Sequence, residues 1–141
     1  MAKALRSRRP DEDWRLAWAV HAELLQNRVP RANMLLVGSD GPIQNILQLL
    51  QRDCRESVPT WQPGDPLVLP PVEWASMMIL RDVGSLSHVD QRRLLDWLDQ
   101  AVRRIQIVST AREPLLPRVQ AGTLDSALYY RLNTLYVEVP G

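Results

Sequence analysis

Short apolar runs alternate along the chain with segments in which apolar residues recur every three or four positions. Met34–Val37 and Met77–Leu80 are continuous apolar runs, and Ile105–Val108 is interrupted only by a glutamine. Runs of this length and composition are typical of strands buried on both faces of a parallel sheet. A further alternating segment, Leu135–Val139, predicts the last strand.

Helical periodicity fills the intervals between these runs. It predicts a helix over residues 11–28, another from Pro42 to about Cys54, one that begins after Ser87, and one over Leu124–Leu132. Proline suits the first turn of a helix, because its missing N–H would have no partner there. Ser87 is expected to cap the third helix, with Asp90 as a weak capping-box partner.

A proline-rich connector separates the second helix from the run at Met77. It carries five prolines between Pro59 and Pro71, and holds at most a short edge strand at Leu67–Leu69. Strands that alternate with helices indicate a three-layer α/β domain with a mostly parallel sheet.

Composition narrows the class further. The 141 residues carry a formal net charge of +1 and are 45% hydrophobic, which suits one domain with a real core. No run is long enough to span a membrane, and no secretion signal is present. The single cysteine, Cys54, excludes an internal disulfide and favours the cytoplasm, and the isolated His21 and His88 do not suggest a zinc site.

The first predicted strand runs directly into a glycine-containing turn and then a helix. This layout resembles a phosphate-binding loop, G-x-x-x-x-G-K-[ST], in which backbone amides cradle phosphates and a lysine neutralises them. Ile43 stands at the second glycine of that pattern, and Gln44 stands at its lysine. The candidate nucleotide-binding residues are Gly38, Ser39, Asp40, Gly41, Pro42, Ile43, Gln44 and Asn45.

A segment near the C-terminus names a family. Ala127–Asn133 reads A-L-Y-Y-R-L-N and follows R-V-Q-A-G at Arg118–Gly122. Together they resemble the segment R-V-x-x-G-x-F-R-x-D-L-Y-Y-R-L-N of sigma-54-dependent transcriptional activators, which are AAA+ ATPases. Four more segments resemble that family in the same order: the glycine loop, Met77–Gly84 (Walker B), Gln91–Leu98, and Arg104–Thr110 (sensor strand).

The resemblance covers roughly residues 20–139. It implies a three-layer P-loop NTPase (AAA+) core, with a mostly parallel five-stranded sheet flanked by helices. We assign residues 11–141 to this core and residues 1–10 to a basic N-terminal tail. Nothing between Gly41 and Met77 resembles the family's sigma-contacting G-A-F-T-G-A loop, and the segment of its helical lid does not occur before Gly141.

The family's catalytic positions are changed in this chain. ATP hydrolysis needs neutralised phosphates, a bound magnesium ion and an oriented water. Gln44 carries no charge, and Arg81, at the Walker B aspartate position, cannot coordinate a cation. The resemblance places Asp82 at the water-activating glutamate, Thr110 at the sensor and Arg131 at an arginine finger. We therefore expect a pseudo-ATPase with a vestigial Asp82, no metal site and at most weak ATP or ADP binding.

Each of these residues also has a purely structural interpretation. The two glycines of the loop could simply form a tight turn, and Asp82 could be a solvated strand end or a partner of Arg81. Arg131, on its helix, could be a structural ion-pair residue. Arginines at 92, 93, 103 and 104 are interleaved with aspartates, which is typical of a solvated face and does not predict direct DNA binding.

Two hypotheses of function remain open. The first is a non-catalytic regulatory or protein-interaction module, whose partner is an AAA+ activator or a second copy of the chain. The second is a residual ATP- or ADP-binding regulator of transcription that uses the backbone of the degenerate loop. Neither requires a membrane.

Overall fold

The structure, a computed structural model, describes residues 32–52, 54, 57–71, 77–100 and 105–140. The helix predicted over residues 11–28 and the basic tail at residues 1–10 lie outside the described residues.

The described residues form one parallel sheet. Its strands are β1 (Met34–Val37), β2 (Thr60–Trp61), β3 (Met77–Leu80), β4 (Gln106–Ala111) and β5 (Leu135–Glu138), and they stand in the order β2-β3-β4-β1-β5. Every neighbouring pair is parallel. The predicted five-stranded parallel sheet is therefore confirmed.

Helices cover both faces of this sheet. They are α1 (Asp40–Arg52), α2 (His88–Gln100), α3 (Leu116–Gln120) and α4 (Ser126–Leu132), and a short 3-10 turn spans Val83–Ser85. Because successive strand residues point to opposite faces, the buried residues fall into two cores. One core joins α1 to the sheet through Ile43, Ile46, Leu47, Leu50, Met34, Leu36, Ile79 and Val108. The other joins α2 and α4 to the sheet through Leu94, Leu98, Leu128, Leu132, Leu35, Met78, Leu80 and Ile107. The domain thus has three layers.

The edge strand lies earlier than predicted. Residues Leu67–Leu69 form no strand; Leu67 is buried, but Val68 is 69% exposed. The edge is instead β2, which is held by the Ile79 N–H donating to Pro59 O at 2.9 Å and the Arg81 N–H donating to Trp61 O at 2.8 Å. The prediction was wrong because a two-residue strand has no periodicity to detect.

Two helix starts also differ from prediction. Helix α1 begins at Asp40 rather than Pro42, and α4 begins at Ser126 rather than Leu124. The later start of α4 has a local cause, since Asp125 Oδ1 accepts hydrogen bonds from the N–H groups of Ala127 and Leu128 at 2.8 and 3.2 Å. Such a side chain is a standard N-cap.

The predicted cap of α2 is present. The Asp90 N–H donates to Ser87 Oγ at 3.1 Å, whereas the Asp90 carboxylate pairs with Arg93 instead of closing a capping box.

A buried glutamine joins α2 to the segment before α4. Gln91 is 2% exposed, and its Nε2 donates to the carbonyls of Leu86 and Thr123, both at 2.9 Å. Its Oε1 accepts from the Asp125 N–H at 2.8 Å. The buried amide is therefore fully engaged, as a buried polar group must be.

Candidate functional site

A cleft of about 310 Å³ opens at the carboxyl ends of β1, β3 and β4. This end of a parallel sheet is where open α/β folds bind ligands. The lining includes many of the residues that sequence reasoning singled out, together with Arg112, which it missed. The cleft is lined by Gly38, Asp40, Ile43, Gln62, Pro63, Arg81, Asp82, Thr110, Ala111 and Arg112.

Gly38 is required by packing. A Cβ built on it would lie 2.6 Å from Val139 O, closer than real Cβ atoms approach a backbone oxygen. Its own N–H donates to Ala111 O at 2.9 Å. Gly41 differs, since a Cβ there would meet nothing within 4 Å and its backbone is helical. The structural interpretation of a tight turn thus accounts for Gly38 without any phosphate.

The rest of the loop is wound into the first turn of α1. Ile43 is 2% exposed in the core beneath α1, and its N–H donates to Ser39 O at 3.3 Å. Pro42 has no N–H to offer. Among the described hydrogen bonds, the loop amides without a backbone acceptor are those of Ser39, Asp40 and Gly41. Ile43, which the motif comparison places at the second glycine, thus packs the first turn of α1 into the core.

An ion pair spans the rim of the cleft. Arg112 Nη2 lies 2.8 Å from Asp40 Oδ2, and its Nε lies 3.4 Å from Oδ1, so the contact is bidentate. The hydrogen bond to Asp40 and the charge of that carboxylate raise the pKa of Arg112 above its ordinary value. Both side chains are largely exposed, so the pair contributes little to stability.

Arg112 follows the last residue of β4. The predicted strand ends at Val108 and the sensor-strand resemblance at Thr110, so Arg112 fell outside both and no signal in the sequence marked it.

Gln44 and Arg81 meet beside the cleft. Arg81 Nη1 donates a hydrogen bond to Gln44 Oε1, which joins the side chain of α1 to the carboxyl end of β3. The resemblance described above places a lysine and an aspartate of a P-loop ATPase at these two positions. Here one partner is neutral and the other is a cation, so the pair brings a positive charge to the strand end.

Asp82 is held in a turn after β3. Its backbone is left-handed, with φ of 49°, and its N–H donates to Thr110 Oγ1 at 3.0 Å. Its carboxylate accepts from Ser85 Oγ at 2.8 Å. Asp82 and Thr110 are therefore brought together, and within the described chain Asp82 forms no ion pair with Arg81.

Arg131 lies outside the lining of the cleft. Its guanidinium forms an ion pair with Asp99 of α2, and its carbonyl accepts a hydrogen bond from Asn33 Nδ2 at 2.8 Å. The ion pair therefore joins α4 to α2. The interface role that the resemblance implies stays a prediction, as does any role of the exposed Asn45.

Two carboxylates line the cleft, those of Asp40 and Asp82. No group of three or more His, Cys, Asp or Glu side chains within them is arranged to hold a metal ion. The Asp82 carboxylate accepts a hydrogen bond from Ser85 Oγ, that of Asp40 pairs with Arg112, and the Arg81 cation lines the same cleft. No helix among the described residues is long and apolar enough to cross a membrane.

The strand order, the loop after β1 and the cleft at the strand ends define an AAA+ type P-loop NTPase fold. The sequence model of the sigma-54 interaction domain matches residues 19–141, and the chain belongs to that family.

Solved structures share the fold at low sequence identity. NtrX from Brucella abortus in complex with ATP aligns with a TM-score of 0.67 at 17% identity, over 89% of this chain and 37% of NtrX. The P-loop NTPase domain of a sigma-54 activator from E. coli aligns with a TM-score of 0.62 at 14% identity, over 92% of this chain and 96% of that domain. This chain therefore spans well under half of NtrX but nearly all of the isolated domain. No curated protein matches the sequence.

Proposed function

We propose that this chain is a non-catalytic regulatory or protein-interaction module derived from the ATPase domain of a sigma-54-dependent activator. The hydrogen bond from Arg81 to Gln44 carries the proposal. It joins the two positions on which phosphate neutralisation and magnesium binding depend in a P-loop ATPase, and neither side chain can do the original work.

The charges at the site oppose hydrolysis of magnesium ATP. A glutamine amide cannot neutralise a γ-phosphate, and a guanidinium repels a divalent cation. The carboxylate that the resemblance places at the water-activating position is that of Asp82. It accepts a hydrogen bond from Ser85, and its backbone lies in a left-handed turn. Misplacement of a catalytic group by about 1 Å can cost roughly a hundredfold in rate.

The experiment is a turnover assay. We expect no release of phosphate from magnesium ATP above the blank, with an intact P-loop NTPase domain of a sigma-54 activator as the positive control. We expect Asp82→Ala to leave this blank-level result unchanged. Turnover by the wild-type chain that Asp82→Ala abolishes would contradict the proposal.

The partner that we propose is a protein: an AAA+ activator or a second copy of this chain. Family membership supports this choice, because the fold belongs to activators, and Arg131 occupies a position that the family assigns to a subunit boundary. Light scattering after size exclusion, with the chain alone and mixed with an activator domain, tests it. A mass that stays at 16.1 kDa under both conditions rejects the interaction. The proposed compartment is the cytoplasm, in keeping with the single cysteine.

The alternative is a residual ATP- or ADP-binding regulator. One observation favours it: the amides of Ser39, Asp40 and Gly41 remain without backbone acceptors at the start of α1. Only part of the backbone cradle is thus left, and the side chains of the cleft would have to supply the rest.

A further inference from the structure

We propose that the cleft binds a phosphate-bearing anion without a metal ion, and that Arg81 supplies the positive charge that a P-loop takes from its lysine. This rests on the alternative of a residual nucleotide-binding regulator and deepens it, since it names the side chain that recognises the phosphates and the effect of magnesium. The ligand class is a diphosphate or triphosphate group, either inorganic or carried by a nucleoside.

Arg81 has no carboxylate partner among the described residues. Its guanidinium has five N–H donors, and its partner among the described residues is the neutral Gln44. In contrast to Arg112 and Arg131, it forms no ion pair with a described carboxylate. The side chain is half-buried and lines the cleft. Asp40 and Asp82 line the same cleft, but neither forms an ion pair with Arg81, so an anion in the cleft would give this half-buried guanidinium a charged partner.

Two further groups of the cleft can serve an anion. Arg112 is held by the exposed carboxylate of Asp40, and exposed ion pairs of this kind are weak. A phosphate can therefore displace Asp40 and gain a second guanidinium, which suits phosphate through its planar fork of donors. Thr110 is 5% exposed and accepts from Asp82, so its hydroxyl proton is left to donate within the cleft.

The metal dependence separates this site from an intact P-loop. In a P-loop ATPase, magnesium bridges the phosphates and the protein, so magnesium supports binding. Here the resemblance places Arg81 at the position of the magnesium ligand. Its positive charge would repel a magnesium ion bound to the phosphates. Magnesium in solution would chelate the phosphates and compete with Arg81. We therefore expect magnesium to weaken binding.

The size of the cleft limits the ligand. Its volume of about 310 Å³ lies at the low end of the usual range for ligand sites, roughly 300–1,000 Å³. It suits a short phosphoryl chain, and a nucleoside would extend beyond it. Inorganic pyrophosphate and ADP therefore distinguish the two sources of the same chemistry: equal affinities identify the phosphoryl group alone, and tighter ADP identifies a nucleotide.

Calorimetry of the full chain tests the proposal. Pyrophosphate and ADP are titrated in EDTA and again in excess magnesium. We expect binding in EDTA and at least severalfold weaker binding with magnesium. Arg81→Gln should weaken binding about tenfold or more, because it removes charge-assisted hydrogen bonds. Asp40→Asn should tighten binding, because it frees Arg112.

Arg92→Gln is the matched control. Arg92 is an exposed arginine paired with Asp96 on α2 and does not line the cleft, so its loss should leave binding unchanged. Folding is checked by circular dichroism, and a gain of affinity in Asp40→Asn cannot arise from misfolding.

Three results would overturn the proposal: no heat with pyrophosphate or ADP in EDTA, tighter binding with magnesium, or equal losses in Arg81→Gln and Arg92→Gln. None of these bears on ATP turnover, which is measured separately, so a failure here leaves the non-catalytic assignment standing.

Discussion

Arg81 donates a hydrogen bond to Gln44, so the strand end of β3 and the second turn of α1 share one polar contact. The two residues are 37 positions apart in sequence. We therefore expect a substitution at one of these residues to change how much the other contributes to stability.

Gln44→Lys should destabilise the chain. It places an ammonium group against the Arg81 guanidinium, whereas the double variant Gln44→Lys/Arg81→Asp places opposite charges together. We expect the single change to lower the free energy of unfolding by about 1 kcal/mol or more, and the double variant to recover part of that loss. Urea denaturation of the two singles and the double gives the coupling energy. Additive effects would show that the two side chains do not interact.

The two glycines of the loop should respond oppositely to alanine. Gly38→Ala forces a Cβ against Val139 O, and we expect a loss of about 1–3 kcal/mol in unfolding free energy. Gly41→Ala meets no atom and lies in a helical turn, so we expect no loss and a gain of up to about 1 kcal/mol. Thermal unfolding of both variants without any ligand is the measurement. Equal losses at both positions would contradict this division.

Removal of the two adjacent hydroxyls on β4, those of Ser109 and Thr110, should change the stability in opposite directions. Ser109 Oγ is buried with no hydrogen-bond partner among the described residues, so Ser109→Ala should be neutral or raise stability, by up to about 1 kcal/mol. Thr110→Val removes the acceptor of the Asp82 N–H and should lower stability by about 1–3 kcal/mol. Chemical denaturation compares them. A loss in Ser109→Ala would mean that its hydroxyl has a partner.

Tyr136 should make stability fall at high pH. Burial, and then the charge of Glu138, raise the pKa of Tyr136 above its ordinary value. The folded chain thus holds the phenol proton more tightly than the unfolded chain does. The stabilisation is complete below the ordinary pKa near about 10 and is lost as pH rises through the raised value.

The measurement for Tyr136 is the difference in Tm between wild type and Tyr136→Phe at pH 8 and at pH 11. The Tm of Tyr136→Phe should rise relative to that of the wild type as pH rises. Glu138→Gln should reduce this pH-dependent difference. A difference that does not change with pH would contradict the assignment.

Much of the sheet could be predicted from sequence, because buried parallel strands are continuous apolar runs. Met34–Val37 and Met77–Leu80 were predicted to the residue, and both are fully buried. The start of α1 could not be predicted, because Pro42 suits a first turn whether the loop before it is open or helical. Whether that loop is open or helical depends on Ile43, whose burial requires the sheet to be in place.

The polar contacts of the site could not be predicted from the sequence either, because they also depend on the folded sheet. The motif comparison treats Gln44 and Arg81 as two separate changes. Neither sequence segment indicates that the two side chains are in contact. The Arg112–Asp40 pair spans 72 positions and depends on β4 lying beside β1. Contacts of this kind follow from topology, whereas periodicity reports only on local structure.

The burial of Ile43 has a consequence for how the chain can change. Reversal to the glycine of a phosphate-binding loop would remove a buried aliphatic side chain, a type of change that costs about 2–5 kcal/mol when alanine is the replacement, and glycine in a helix costs about 1 kcal/mol more. That is a large part of the stability of a small domain. A change of Ile43 to glycine therefore starts with a loss of stability before any open loop can form.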